Sequence, residues 1–255
     1  MDIRIMQTAK EAGLLAGKKA AELLTQAVLE KGEARFMSAT GQSQLPFYEG
    51  LLSQNVPWDK IEIFHLDEYC NLPDTHPASF KKYIQERFIS YINPQNVHYI
   101  NGTADLDKTL HLLNSEATKK PIDVGMIGFG ENAHIAFNDP PADFNCPDAY
   151  HVVTLDSKCK QQQVNEGWFS SINEVPQKAI SASVPFIQSF QNIVSLIPYK
   201  VKAPAVKAVL ESSEPTSMIP GTALLSHPSW FIYLDHESSS LLDLSKVKLG
   251  NLDKQ

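Results

Sequence analysis

The sequence predicts an α/β fold: a single-domain, mostly parallel open sheet flanked by helices in a Rossmann-like arrangement. Three observations predict it. Strand-like apolar runs alternate with helical segments along the chain, the pattern of a parallel sheet covered on both faces. The length, 255 residues of which 43% are hydrophobic, suits one α/β domain and is short for two. No internal repeat, low-complexity stretch or Pro/Ser-rich linker divides the chain, so residues 1–255 read as one domain with a polar tail from about 237.

A helix is predicted over residues 8–31. Thr8 and Glu11 stand at capping-box spacing, Ala12, Ala16, Ala20, Leu23, Leu24, Ala27 and Val28 recur on one face, and Gly32 stops it. Residues 34–37 form a short strand, followed by the hydroxyl- and glycine-bearing turn SATGQS and a helix through about residue 52. KIEIFHL, residues 60–66, reads as a strand that ends on the acidic pair Asp67 and Glu68. Helices follow over 79–90 and 105–117, then an apolar strand over 122–127, a strand over 152–155 and a helix over 158–168. Strands over 179–183 and 193–197, a helix over 203–211 and the strand WFIYL over 230–234 complete the alternation. The polar tail is expected to be partly loose.

The net charge is −7 and no dense Lys/Arg run appears, which argues against a nucleic-acid partner. Only Arg4, Arg35 and Arg87 are arginines among the 22 basic residues, so a bound anion must rely on lysines, hydroxyls, backbone N–H groups or one of these three. No run approaches 18 consecutive apolar residues, and MDIRIMQTAKEA lacks the basic-then-apolar start of a signal peptide. No membrane partner and a cytoplasmic location are expected. Cys70, Cys146 and Cys159 form no CxxC pair and are expected to be reduced thiols.

Ligands of an open parallel sheet bind beyond the carboxyl ends of its strands, and four unusual segments follow predicted strands. The turn carrying Thr40, Gly41, Gln42 and Ser43 opens a helix and suits an anion, with N–H groups, hydroxyls and the helix dipole aimed at it. Asp67 and Glu68 must point to opposite sides of a strand, so one can face a site while the other is anchored elsewhere. GFGENAHIAFNDP, residues 128–140, presents His134 five residues before Asp139, a pair able to exchange protons near neutral pH. Lys202 precedes a helix with Pro204 in its first turn, where a cation opposes the helix dipole unless an anion lies between them. His65, His76, His98, His111, His151, His227 and His236 show no paired-ligand spacing, so no metal is expected. No GxGxxG follows the first strand, and no nicotinamide or flavin cofactor is expected.

In this order the segments resemble the glucosamine-6-phosphate deaminase/isomerase family, which shares its fold with 6-phosphogluconolactonase. LDEYCNLPDTHPASF (66–80) and GFGENAHIAFNDP (128–140) carry the resemblance, supported by IPGTALLSHPSWFIYLD (219–235). Tyr69, where lactonases usually carry Arg after the acidic pair, and the run Ala136, Phe137, Asn138, Asp139 and Pro140 favour the deaminase branch. The resemblance implies a cofactor-free enzyme that takes an amino-sugar 6-phosphate and water to a ketohexose 6-phosphate and ammonia. It implies Asp67 as the carboxylate that moves a proton between C1 and C2, and His134 as the ring-opening group, assisted by Asn132 and Asp139. Thr40, Gly41, Gln42 and Ser43 match the phosphate loop and Lys202 the phosphate lysine.

The departures concern the site. Asn132 stands where some members have Asp, Ala133 replaces the usual loop Gly, Asp139 replaces the usual Glu, and Gln42 replaces a loop glycine. The arginine that some members use on the phosphate has no counterpart among residues 157–167, where Lys158 and Lys160 stand. The substrate is therefore open between glucosamine 6-phosphate and its galacto epimer. A 6-phosphogluconolactonase and a non-catalytic sugar-phosphate sensor on the same fold are the rival readings. The chain could form a homo-oligomer, of an order the sequence does not give.

Overall fold

The structure is a computed structural model and describes residues 1–247 and 251–254. In chain order its elements are β1 (Asp2–Met6), α1 (Ala9–Lys31), β2 (Ala34–Ser38), α2 (Leu45–Leu52), β3 (Ile61–His65), β4 (Asp67–Tyr69), α3 (Phe80–Arg87), β5 (Asn96–His98) and α4 (Leu106–Ala117). There follow β6 (Val124–Met126), β7 (Tyr150–Thr154), α5 (Ser157–Asn165), β8 (Lys178–Ala182), α6 (Val184–Gln188), β9 (Asn192–Ile197), α7 (Ala203–Leu210), β10 (Trp230–Asp235) and β11 (Asn251–Lys254). The main sheet has the order β11-β1-β10-β9-β6-β2-β3-β5, with every neighbouring pair parallel.

Local chemistry accounts for the elements. The capping box predicted at α1 is formed: Thr8 accepts from Glu11 N, Glu11 accepts from Thr8 N, and Gly32 closes the helix at φ 79°. Ser79, Asp105 and Asp156 each accept an N-terminal backbone N–H of α3, α4 and α5. Ile3, Phe36, Ile63, Val124, Val194 and Ile232 are fully or almost fully buried, so the strands read as apolar runs rather than alternations.

One expectation is corrected. The strands over 152–155 and 179–183 do not extend the main sheet; with β4 they form a separate antiparallel sheet, β4-β8-β7. Asp67 and Glu68 accordingly open a new strand instead of ending β3. Hydrogen bonds hold the step between sheets: Leu66 N donates to Ser38 O, Ala182 N to Leu66 O and the Tyr150 hydroxyl to His65 O. Four elements went unread: β1, β5, α6 and β11. All are six residues or fewer, too short for periodicity to register. The tail turns back after β10, where Ser238 N donates to Asp235 Oδ1 and Ser238 is fully buried.

Helix α1 crosses the sheet and lies against α2 at a backbone-to-backbone distance that only glycine allows. A Cβ on Gly17 would stand 2.3 Å from Leu51 N and 2.4 Å from Phe47 O. In a helix interior Gly→Ala ordinarily stabilises by about 1 kcal/mol. Here the added methyl meets rigid backbone, and overpacking of ~1–3 kcal/mol reverses the sign. Gly17→Ala lowers the thermal midpoint by about 2–4 °C per kcal/mol lost; a midpoint at or above wild type would show that the two helices can separate freely.

Candidate active site

The strand order places a crevice. From β2 the chain steps to β3 and β5 on one side, then returns to β6 on the other side of β2 and continues outward to β9 and β10. This reversal is a topological switch point, where loops leaving neighbouring strands diverge and open a cleft. A cavity of about 250 Å³ lies there, lined from the loops after β2, β3, β6 and β9 and from α5. Thr40, Gly41, Gln42, Ser43, Asp67, His134 and Lys202 all line it. Asn132 and Asp139 stand behind His134.

The loop after β2 is held from outside. The Tyr48 hydroxyl donates to Ala39 O at 2.6 Å and the Tyr83 hydroxyl to Gly41 O at 2.8 Å. Gly41 has φ 109°, a conformation costly for other residues. A short 3-10 turn over Gln42–Gln44 then leads into α2, so the first N–H groups of the helical run lack intrahelical acceptors at the cavity wall. Gln44 bridges to the end of β9, its Nε2 donating to Leu196 O at 3.1 Å.

Asp67 is 6% exposed, and no group among the described residues donates to its carboxylate. Burial, then the charge of Glu68, raises its pKa well above the ordinary carboxylate value. Glu68 points the other way and anchors α3. Its oxygens accept from Tyr69 N, Ser79 Oγ, Phe80 N and Lys81 N.

In the loop after β6, Asp139 Oδ1 lies 3.0 Å from both His134 Nδ1 and Asn132 Nδ2, and Asn132 Oδ1 accepts from His134 N. The bond on Nδ1 turns the imidazole Nε2 edge toward the cavity wall at Gly130, where an added Cβ would stand 2.2 Å from Nε2. Burial acts to raise the Asp139 pKa. The hydrogen bond and charge of His134, the Asn132 amide and Asp156 N outweigh it, and the carboxyl is held below the ordinary range. The shorter Asp139 thus reaches His134 directly. Ala133 has φ 64°, which explains the usual glycine at this position.

Lys202 is 7% exposed and has no carboxylate within ion-pair distance among the described residues. Burial lowers its pKa, while Glu166 and Glu131 act to raise it. It is the one lysine or arginine among the residues lining the cavity. Arg35 is spent elsewhere, donating to Glu62, Ala117 O and Glu116 O. The Lys202 loop begins at Tyr199, held at φ 76° by its N–H donating to Asp235 Oδ2 at 3.0 Å.

A family model described as glucosamine-6-phosphate isomerases/6-phosphogluconolactonase matches residues 7–230. The chain belongs to that family. A glucosamine-6-phosphate deaminase of Thermoanaerobacter pseudethanolicus is 34% identical over 243 residues, covering 91% of this chain and 94% of that protein. One of Bacillus pumilus is 33% identical over 233 residues, covering 88% and 95%. Among solved structures, a monomeric glucosamine-6-phosphate deaminase is 31% identical with a TM-score of 0.83, covering 94% of this chain and 100% of the other. A 6-phosphogluconolactonase from Thermotoga maritima superposes with a TM-score of 0.74 at 17% identity, covering 92% and 99%, a likeness of fold.

Sequence reasoning missed the wall that α5 and the turn after it build. Gln162, Gln163, Glu166 and Trp168 line the cavity, joined by Phe80, Phe137 and Tyr199. The available signal was the polar Gln162 and Gln163 on the inward face of a helix, both buried.

The lowered pKa of Asp139 has a thermodynamic consequence. A carboxyl whose folded value is depressed contributes stability that is present above its unfolded value, near 3.8, and is lost as pH falls through the folded value. Unfolding in urea between pH ~5 and ~2 shows this loss in wild type, and Asp139→Asn flattens it. Parallel pH profiles in the two proteins would mean that Asp139 is not the group responsible.

Proposed function

We propose that this chain deaminates and isomerises an amino-sugar 6-phosphate, glucosamine 6-phosphate or its galacto epimer, giving a ketohexose 6-phosphate and ammonia. The observation that carries the reading is one cavity in which a lysine and a helix-opening loop face a buried carboxylate and a carboxylate-braced histidine. The relatives that are named as deaminases support the same reading.

The chemistry follows from the positions. The phosphate is held by Lys202 and by the hydroxyls and N–H groups of Thr40, Gly41, Gln42 and Ser43. His134, its Nδ1 engaged by Asp139, passes protons at Nε2 between O5 and O1 as the ring opens. The C1 carbonyl then acidifies the C2 hydrogen. Asp67 takes that proton and returns it at C1 while the ammonium nitrogen gives up a proton and O1 gains one, so that the C1 carbonyl becomes a hydroxyl and C2 an iminium, to which water adds and from which ammonia departs. A carboxylate with raised proton affinity is suited to accept a proton from carbon. Asn132 fixes the loop and the Asp139 carboxylate.

Charge separates this reading from the lactonase. Asp67, Glu131 and Glu166 line the cavity against Lys202 alone. A purely anionic lactone meets an excess of negative charge there, whereas an amino sugar brings an ammonium group. Three unpaired, buried cysteines fit a reducing cytoplasm as the working compartment.

The test is an ammonia-release assay over a panel of amino-sugar 6-phosphates, beside hydrolysis of 6-phosphogluconolactone. Rapid lactone hydrolysis without ammonia would move the chain to the lactonase branch. Lys202→Ala raises KM with little change in kcat, by about 1–3 kcal/mol, or roughly five- to 150-fold; an unchanged KM would put the anion elsewhere. Asp67→Asn, nearly isosteric, folds and binds phosphate but loses ~10²–10⁴-fold in kcat and in exchange of the C2 hydrogen with deuterated water. Exchange at the wild-type rate in the folded variant would assign the base to another residue.

A further inference from the structure

We propose that Gln163 is a substrate-binding residue whose amide N–H groups hold an oxygen on C1 or C3 of the open-chain sugar, and that Tyr69 is the positioning residue that aims it. This rests on the amino-sugar phosphate reading and adds a contact at the reacting end.

Gln163 reaches the cavity from α5 and is only 6% exposed. Its Oε1 accepts from the Tyr69 hydroxyl at 2.8 Å. The Tyr69 ring is fully buried among Phe80, Phe137 and Phe169, and Gln163 Oε1 is the acceptor found for its proton among the described residues. Turning the amide over would leave that buried donor unpaired, which is strongly disfavoured. The orientation is therefore fixed: Oε1 toward Tyr69, Nε2 toward the cavity. No acceptor for Nε2 occurs among the described residues. The adjacent Gln162 is by contrast consumed by the wall, its Nε2 donating to Glu166 Oε1 at 2.7 Å and its Oε1 accepting from Glu131 N at 3.3 Å.

The strand gives the location. Asp67 and Tyr69 are two residues apart on β4, so their side chains leave the same face. The amide steered by Tyr69 thus lies on the side of the cavity that holds Asp67. A donor beside the residue that works at C2 meets the oxygens on the flanking carbons.

The experiment uses Gln163→Leu, Gln163→Glu, Tyr69→Phe and the double variant of the full chain. Readouts are kcat/KM for ammonia release from glucosamine 6-phosphate, inhibition by inorganic phosphate, and thermal midpoint. Gln163→Leu lowers kcat/KM by about tenfold or more while inhibition by inorganic phosphate is unchanged. Tyr69→Phe, which removes only the hydroxyl, lowers it severalfold, and the double variant is no worse than Gln163→Leu. Wild-type kcat/KM in folded Gln163→Leu overturns the proposal, as does an equal loss of turnover and of phosphate inhibition. If Gln163→Leu fails to fold, Gln163→Glu decides: it keeps an acceptor for Tyr69 and removes the donor, so full activity overturns the assignment. Should wild type release no ammonia, the functional reading fails separately. Calorimetric affinities of wild type and Gln163→Leu for glucosamine 6-phosphate then test the contact by itself, and equal affinities overturn it.

Discussion

The chain crosses from the parallel sheet to the antiparallel one within the three residues from His65 to Asp67, and it does so in the interior. Such a step would normally strand backbone polar groups away from water, each at a cost of ~1–3 kcal/mol. Here the Tyr150 hydroxyl, Ala182 N, Ser38 O and the His65 ring take up the groups involved. With the main chain fixed by four partners, the Asp67 side chain has one direction to point. The same step orients Glu68 onto α3 and Tyr69 into its aromatic cluster. The buried carboxylate, the cap of the following helix and the brace for Gln163 are consequences of one crossing.

The second organising feature is the allocation of charge. With three arginines in the chain, Arg35 is committed to tying β2 to the end of α4 through Glu116 and Ala117, and it packs over Phe64. Lys202 lines the cavity, buried and without an ion pair among the described residues, on a loop that Asp235 pins. A buried ammonium is unfavourable unless opposite charge lies near it, and Glu166 and Glu131 act in that sense on Lys202.

Much of this was legible in the residues. Thr8, Glu11 and Gly32 fix α1 through local bonds, and the pattern of SATGQS between a strand and a helix needs no tertiary information. His134 and Asp139 sit on one tight loop, so spacing alone brings them into reach. The antiparallel sheet was not legible, because the pairing of Asp67 with Ser181 joins segments that share no local signal. For the same reason the α5 wall escaped notice. Whether a helix face lined with Gln162 and Gln163 meets solvent or a cavity depends on what the fold sets opposite it. Tyr199 at positive φ is likewise imposed from outside, by a carboxylate from the next strand.

The pairing of β4 with β8 and β7 also bears on how the protein reaches its native state. Thr40, Asp67, His134, Gln163 and Lys202 come from segments spread over most of the chain, and β4 acquires its neighbours only once residues 150–182 are in place. Contacts so distant in sequence close late and slowly, because the loop-closure entropy must be met before they contribute. Turnover therefore reports assembly of the whole chain rather than of any fragment.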